Sequence, residues 1–362
     1  MERIVCGLSR EFSTRGWNVR TIFPGTPQIS KVLEWCHSQG VDAEASPDLL
    51  DAWQSHTWGD ALKLRRFVKS LGVDIINIHY GDNFISLKDL VAIRSSGRHR
   101  CIVTVHHPTP WSDTGFKKRM LTALAGRLGH EVTTVSRATY EILRQAGIST
   151  RQLHIIPCGL QAPSSLPERA DARRRLQIPA AATVIGTLGR LVPHKNVDQL
   201  IRAVAQLPNG QENVILVVAG DGPERSNLEQ LAAEILPGRV LFLGRIPDVN
   251  EYLAALDIFA LPSQLEGFGL VYVEAAFHGV PSVGTNVGGV PDAVVDGETG
   301  LLVPVGDTPA LTEALQKLCG DLNLRRQIGE AARANAYTHF TEPVMANQYE
   351  QLFRRGLVLR HS

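Results

Sequence analysis

Pro262-Ser263-Gln264-Leu265-Glu266-Gly267-Phe268-Gly269-Leu270-Val271-Tyr272-Val273-Glu274-Ala275 decides how the rest of the chain is read. The apolar run Asp257–Leu261 before it predicts a buried strand, and the residues from Leu270 onward predict a helix. Gly267 and Gly269 would leave backbone N–H groups open at that helix N-terminus, where a diphosphate can sit. Glu266 stands just before the helix, and Glu274 follows about two turns into it. A carboxylate beside an anion site costs electrostatic energy unless it binds something, and sugar hydroxyls are suitable donors. The same residues admit a plainer reading, a glycine turn whose acid caps the helix.

Outward from this segment, strand-like and helical patterns alternate almost throughout, which predicts an α/β fold with parallel sheets. In the first half the strand candidates are Trp17–Phe23, Val73–Tyr80, Cys101–His106, Val132–Ser136 and Leu153–Pro157. In the second half they are Thr183–Leu188, Val214–Gly220, Val240–Leu243, Asp257–Leu261, Pro281–Gly284 and Gly300–Pro304. Val197–Leu207, Leu228–Ile235 and Pro309–Leu318 read as helices. The polar stretch 161–182 reads as a linker with one short helix. The predicted domains are therefore residues 1–160 and 183–338, both doubly wound and Rossmann-like, with their sheet ends facing a cleft. A C-terminal helix in 339–362 is expected to pack back toward the first domain.

The 362 residues, 44% hydrophobic and 20% charged, exclude a disordered or fibrous chain. Apolar runs such as Val214–Ala219 fall far short of the ~18 residues of a membrane span, and no signal peptide opens the sequence. Five scattered cysteines without a C-x-x-C pair argue against a disulfide framework or zinc site and suit a reducing cytoplasm. The net charge of +1 hides an asymmetry. Through Arg151 the chain carries 20 Lys and Arg against 14 Asp and Glu; after it, 17 against 22. A basic front half suits an anionic partner, and scattered solvated charge explains it equally well.

A second segment, Gly189-Arg190-Leu191-Val192-Pro193-His194-Lys195-Asn196, follows a buried strand. Arg190 and Lys195 there could neutralise a diphosphate, or form a solvated basic turn. Gly220-Asp221-Gly222-Pro223-Glu224 ends the next strand in a turn that could line a nucleotide pocket.

Taken together, GRLVPHKN, VAGDGPE, LFLGRIPD, DIFALPSQLEGFGLVYVEA and GVPSVGTNVGGVPDAVVDGETGLLV resemble the donor domain of the retaining family 4 glycosyltransferases, in order and spacing. The first half is similar to the same family through TVHHP (104–108), TTVSRATYEIL (133–143) and HIIPCGL (154–160), with Cys158 where the family usually has Asn. The resemblance implies GT-B architecture and transfer of a sugar from a nucleotide-diphosphate-sugar donor to an acceptor it does not name: glycan, lipid-linked or small molecule. It implies that Arg190 and Lys195 bind the diphosphate with the amides of Phe268, Gly269 and Leu270, beside Gly267, Gly220 and Asp221. By the same resemblance Glu274 holds the ribose, Glu266 orients the transferred sugar, and His106 (or its neighbour His107) lies near the reaction centre on the acceptor side. Ser136 lines the cleft or caps a helix.

No Asp-x-Asp triplet occurs, and Arg190 with Lys195 supplies positive charge, so neither a metal nor another cofactor is expected. Two other readings are another GT-B enzyme, such as a sugar-nucleotide epimerase, and a donor-fold protein left inactive by loss of its N-terminus. An NAD enzyme is disfavoured because no strand is followed by G-x-G-x-x-G. Nucleic acid is not an expected partner. Phe116, Met120, Leu121, Leu124 and Leu128 recur at helical spacing among Lys117, Lys118, Arg119 and Arg127. Such a helix either packs on its own core or lies on an anionic membrane, which would place a cytoplasmic protein peripherally at the inner face. Met1, Ile4, Val5, Leu8 and Phe12 predict an opening helix closed at Arg15-Gly16. In the resembling family a strand and a Gly-Gly-x-Glu loop precede that helix, with Glu2 matching the loop's Glu. The native product is therefore expected to begin upstream of Met1.

Overall fold

The computed structural model describes residues 1–27, 29–47, 49, 58–81, 85–107, 115–208 and 213–357. Pro108 and the side chains of Lys117 and Lys118 lie outside the described residues, as do residues 358–362. In chain order the elements begin α1 (Glu2–Thr14), β1 (Thr21–Pro24), α2 (Ile29–Ser38), β2 (Ala43–Ser46), α3 (Trp58–Leu71), β3 (Ile75–Tyr80), α4 (Leu87–Arg94) and β4 (Arg100–Val105). They continue with α5 (Gly115–Leu128), β5 (Glu131–Thr134), α6 (Arg137–Gln145), β6 (Leu153–Ile155), α7 (Arg169–Arg175), β7 (Thr183–Leu188), α8 (Val197–Ala205), β8 (Val214–Ala219), α9 (Arg225–Ile235) and β9 (Val240–Gly244). The last are α10 (Val249–Ala254), β10 (Ile258–Leu261), α11 (Leu270–Phe277), β11 (Ser282–Thr285), α12 (Val290–Ala293), β12 (Gly300–Val303), α13 (Thr308–Gly320), α14 (Leu322–His339) and α15 (Glu342–Leu357).

The chain divides into two compact units, Met1–Gln161 with Thr341–Ser362, and Ala162–Phe340. Among the described residues of the first unit the strands form two sheets, a parallel pair β1–β2 and the parallel order β3–β4–β5–β6. Cys101, Val103, Val105, Val132 and Leu143 fill the core of the larger sheet. The expected strand Trp17–Phe23 is shortened to Thr21–Pro24, and β2 was not expected at all. Its sequence AEAS has no β-branched or aromatic residue to signal a strand. The opening helix forms as its spacing predicts. The C-terminal helix α15 packs on it: Phe12 and Phe353 meet at 5.1 Å, and Arg15 pairs with Glu350 at 2.8 Å.

Among the described residues the second unit holds one six-stranded parallel sheet in the order β12–β11–β10–β7–β8–β9. Its central strands are buried on both faces, as their unbroken Val, Ile and Leu content requires. Of residues 161–182, expected as a linker, Gln161 belongs to the first unit, and 162–182 carry α7 and belong to the second. Arg173, buried at 6% exposure, donates to both the Asp257 carboxylate (2.6 Å) and the Ala182 carbonyl (3.0 Å). Both units are thus α/β, and the strand order of the second reverses between β7 and β10, the place where such sheets bind ligands.

Candidate functional site

Loops leaving β7, β8, β10 and β11 converge at this reversal. The loop after β8 lies directly against the loop after β7: Leu191 N–H donates to the Asp221 carbonyl at 3.1 Å. A Cβ on Gly220 would overlap the Gly189 carbonyl, and its φ of +123° suits only glycine. The loop after β7 is stitched to the loop after β10. Gln264 N–H donates to the His194 carbonyl (2.8 Å), and the Gln264 side chain donates to Asn196 Oδ1 (2.9 Å). On the far side, Gly289 N–H donates to the Glu266 carbonyl at 3.2 Å, so the loop after β11 closes on the same segment.

The result brings Lys195 and Glu266 together. Lys195 Nζ lies 2.5 Å from Glu266 Oε1, which also accepts from Ser263 Oγ at 3.0 Å. Glu266 is 8% exposed, so the pair is largely shielded from solvent, and a cation and carboxylate so placed neutralise one another. Beside them, α11 starts at Leu270 after Gly269. Among the described residues the N–H groups of Gly267, Phe268, Gly269 and Leu270 donate no hydrogen bond, and they stand at or just before a helix N-terminus, the kind of place where an anion can be held. The Phe268 ring is buried against Phe340 at 5.6 Å, which fixes the backbone that carries those donors. Arg190 is exposed and makes no ion pair among the described residues. Asp221 is exposed, its carboxylate accepting from Gly222 N–H at 2.9 Å, and Glu274 lies half-buried in α11.

The sequence-predicted residues Arg190, Lys195, Gly220, Asp221, Glu266 to Leu270 and Glu274 therefore all belong to the second unit, on or just after the loops at one end of its sheet. His106 belongs to the first unit, immediately after β4, with its N–H donating to the Tyr80 carbonyl at 3.0 Å. Ser136 is buried and its hydroxyl accepts from Thr139 N–H at 3.3 Å, which makes it the N-cap of α6. Ser263, Gln264 and Asn196 were not anticipated. Asn196 carries a signal in hindsight: it stands between a Pro-initiated turn and a helix at φ +50°, a conformation Asn tolerates better than most residues.

Residues 168–335 match the family model of glycosyl transferases group 1, and residues 1–162 match that of glycosyltransferase family 4. The chain is 28% identical over 358 residues to the N-acetyl-alpha-D-glucosaminyl L-malate synthase of Bacillus anthracis, covering 96% of this chain and 91% of that one. It is 30% identical over 278 residues to a GDP-mannose-dependent monoacylated alpha-(1-6)-phosphatidylinositol monomannoside mannosyltransferase of Corynebacterium glutamicum, covering 72% and 71%. The fold is shared with the crystal structure of Anabaena HepE in complex with UDP and glucose, at a TM-score of 0.80 and 23% identity over 98% of this chain and 95% of the other. Matches of this extent to both units assign the GT-B fold, and the chain belongs to the family 4 glycosyltransferases.

Proposed function

We propose that the enzyme retains anomeric configuration, takes its sugar from a nucleotide-diphosphate donor and needs no metal ion. The observation that carries this reading is the Lys195–Glu266 pair just before the N-terminus of α11. A diphosphate seated at that N-terminus competes with Glu266 for Lys195. It thereby releases a carboxylate oxygen to accept from a hydroxyl of the sugar. Charge that builds on the departing diphosphate meets Lys195, Arg190 and the helix N-terminus. Glu274 takes the ribose hydroxyls, and His106 serves the acceptor side. Retention follows the family's behaviour. Purified protein offered UDP-glucose, UDP-N-acetylglucosamine and GDP-mannose should release nucleotide from at least one, at a rate unchanged by EDTA. Water stands in as acceptor in this assay, and the one-bond C–H coupling at C1 of the released sugar, read before mutarotation, should report the donor's configuration. No release from any donor, or loss in EDTA restored by Mg²⁺ or Mn²⁺, would contradict the reading.

The reading extends to an anionic membrane surface, met from the cytoplasmic side through α5. Phe116 (81% exposed), Met120 and Leu124 stand exposed at successive i, i+4 positions, with Arg119 and Arg127 exposed on the same helix. Thr122 and Ala125 turn inward and are buried, and Leu128 packs on the core, so the expected apolar stripe divides between core and surface. Among the described residues no helix is long and apolar enough to cross a membrane. The five cysteines are free thiols, which suits a reducing compartment. Vesicles of phosphatidylglycerol should sediment the protein, those of phosphatidylcholine much less, and Phe116→Glu should cut binding severalfold. Equal sedimentation with both lipids would remove the proposal.

A further inference from the structure

We propose that His79 is a positioning residue for His106, holding that imidazole in one orientation for the reaction. The inference rests on the reading of His106 as an acceptor-side residue. β3 and β4 are parallel, with His79 opposite Thr104 in register. His106 lies two residues beyond Thr104, so by strand alternation its side chain leaves the same face. His79 Nδ1 and His106 Nε2 are 2.8 Å apart, and the rings lie with centroids at 5.1 Å and planes at 28°. With Nε2 engaged by His79, Nδ1 of His106 is the nitrogen left for a ligand.

The rest of that face is a row of polar groups. Asn77 Oδ1 accepts from Thr104 Oγ1 at 2.9 Å, the Thr104 and Thr133 hydroxyls are hydrogen-bonded at 2.8 Å, and the Tyr349 hydroxyl of α15 closes on both at 3.1 and 3.2 Å. The opposite face of β4 is closed by Cys101, Val103 and Val105. An apolar pair in place of the two imidazoles would pack such a sheet without any need for matched donors and acceptors. Burial holds both rings neutral: His79 is pushed down to about 3, and His106 falls well below its ordinary value, by burial first and by His79 second. In a neutral pair one ring donates its N–H to the other's bare nitrogen, so each ring fixes the tautomer of the other.

The test measures nucleotide release, from whichever of UDP-glucose, UDP-N-acetylglucosamine and GDP-mannose turns over fastest, by His79→Ala, His79→Leu, His79→Asn, His106→Ala and the double variant His79→Ala/His106→Ala. Thermal unfolding of each establishes that it is folded. His79→Ala should lower kcat roughly 10- to 100-fold, the scale of a misplaced reacting group, with donor KM within a factor of about two. His79→Asn, whose amide reaches the position of Nδ1, should restore most of the rate. The double variant should be no slower than His106→Ala, because His79 acts through His106. Should His79→Ala fail to fold, His79→Leu fills the volume without a hydrogen bond and takes its place against His79→Asn. Full activity of His79→Ala beside an inactive His106→Ala overturns the inference alone, as do additive losses or an Asn variant no better than Ala or Leu. Full activity of His106→Ala overturns the reading of His106 on which it rests.

Discussion

Lys195→Ala lowers kcat/KM for the sugar nucleotide by roughly 10²- to 10³-fold, the range found when one preorganised electrostatic partner is removed. The fold should survive. The turn that carries Lys195 is held by backbone bonds, Gln264 N–H to the His194 carbonyl and Asn196 N–H to Pro193, neither of which involves the ammonium. The loss falls on catalysis because Glu266 then has no cation beside it. On the proposed reading the diphosphate must then seat near an uncompensated, largely buried carboxylate, and its developing charge meets only Arg190 and the amides. Glu266→Ala should cost a similar factor for the complementary reason: Lys195 stays available to the diphosphate, but the sugar loses its acceptor. Nucleotide release by both variants at near wild-type rate, with unchanged donor KM, would show that the pair only closes two loops.

The second large effect is on stability. Asp257 sits just before β10 and joins three elements: Oδ1 accepts from Arg169 at 2.6 Å, and Oδ2 accepts from Arg173 at 2.6 Å and from Val184 N–H at 2.8 Å. Arg173 is buried, whereas Arg169 is largely exposed and gains little from its bond. Asp257→Ala leaves the Arg173 guanidinium buried without its counterion, a change that typically costs about 3–5 kcal/mol. For a unit of this size that lowers the melting temperature on the order of 10 °C. Asp257→Asn keeps an acceptor for one partner and should lie between. Scanning calorimetry that finds Asp257→Ala within a degree or two of wild type would refute the assignment of Arg173 as an anchored, charge-dependent contact.

What could be read from the amino acids alone follows from what each part depends on. The six strands of the second unit were legible because a strand buried on both faces must be a run such as Val214–Ala219, with no polar alternation to confuse it. β2 was not, since AEAS acquires its extended form only by pairing with β1. Lys195 and Glu266 were each recognisable from their motifs. Their direct bond was not, because it requires two loops separated by some 70 residues to meet, through a contact between Gln264 and Asn196 made across the same separation. His79 was hidden for the same reason: it reads as one residue of a strand until β3 is set in register against β4. The apolar positions of α5 showed their helical spacing, but spacing cannot say which of them the sheet will cover.

The placement of α15 has a consequence for how the enzyme is made. The first unit needs its last helix: Tyr349 closes the row of hydroxyls at Thr104 and Thr133, and Phe353 stacks among Phe12, Trp17 and Tyr349. Glu342 N–H donates to the Leu160 carbonyl where the chain returns. The second unit, by contrast, is one uninterrupted stretch from Ala162 to Phe340. At 5–20 residues per second a ribosome takes roughly 10–40 s to pass from Gln161 to Glu342. During that interval the half synthesised first waits with its aromatic seat empty, while the half synthesised second can already close its sheet. The order of birth and the order of completion are reversed, and α1 stays in need of protection from aggregation until α15 arrives.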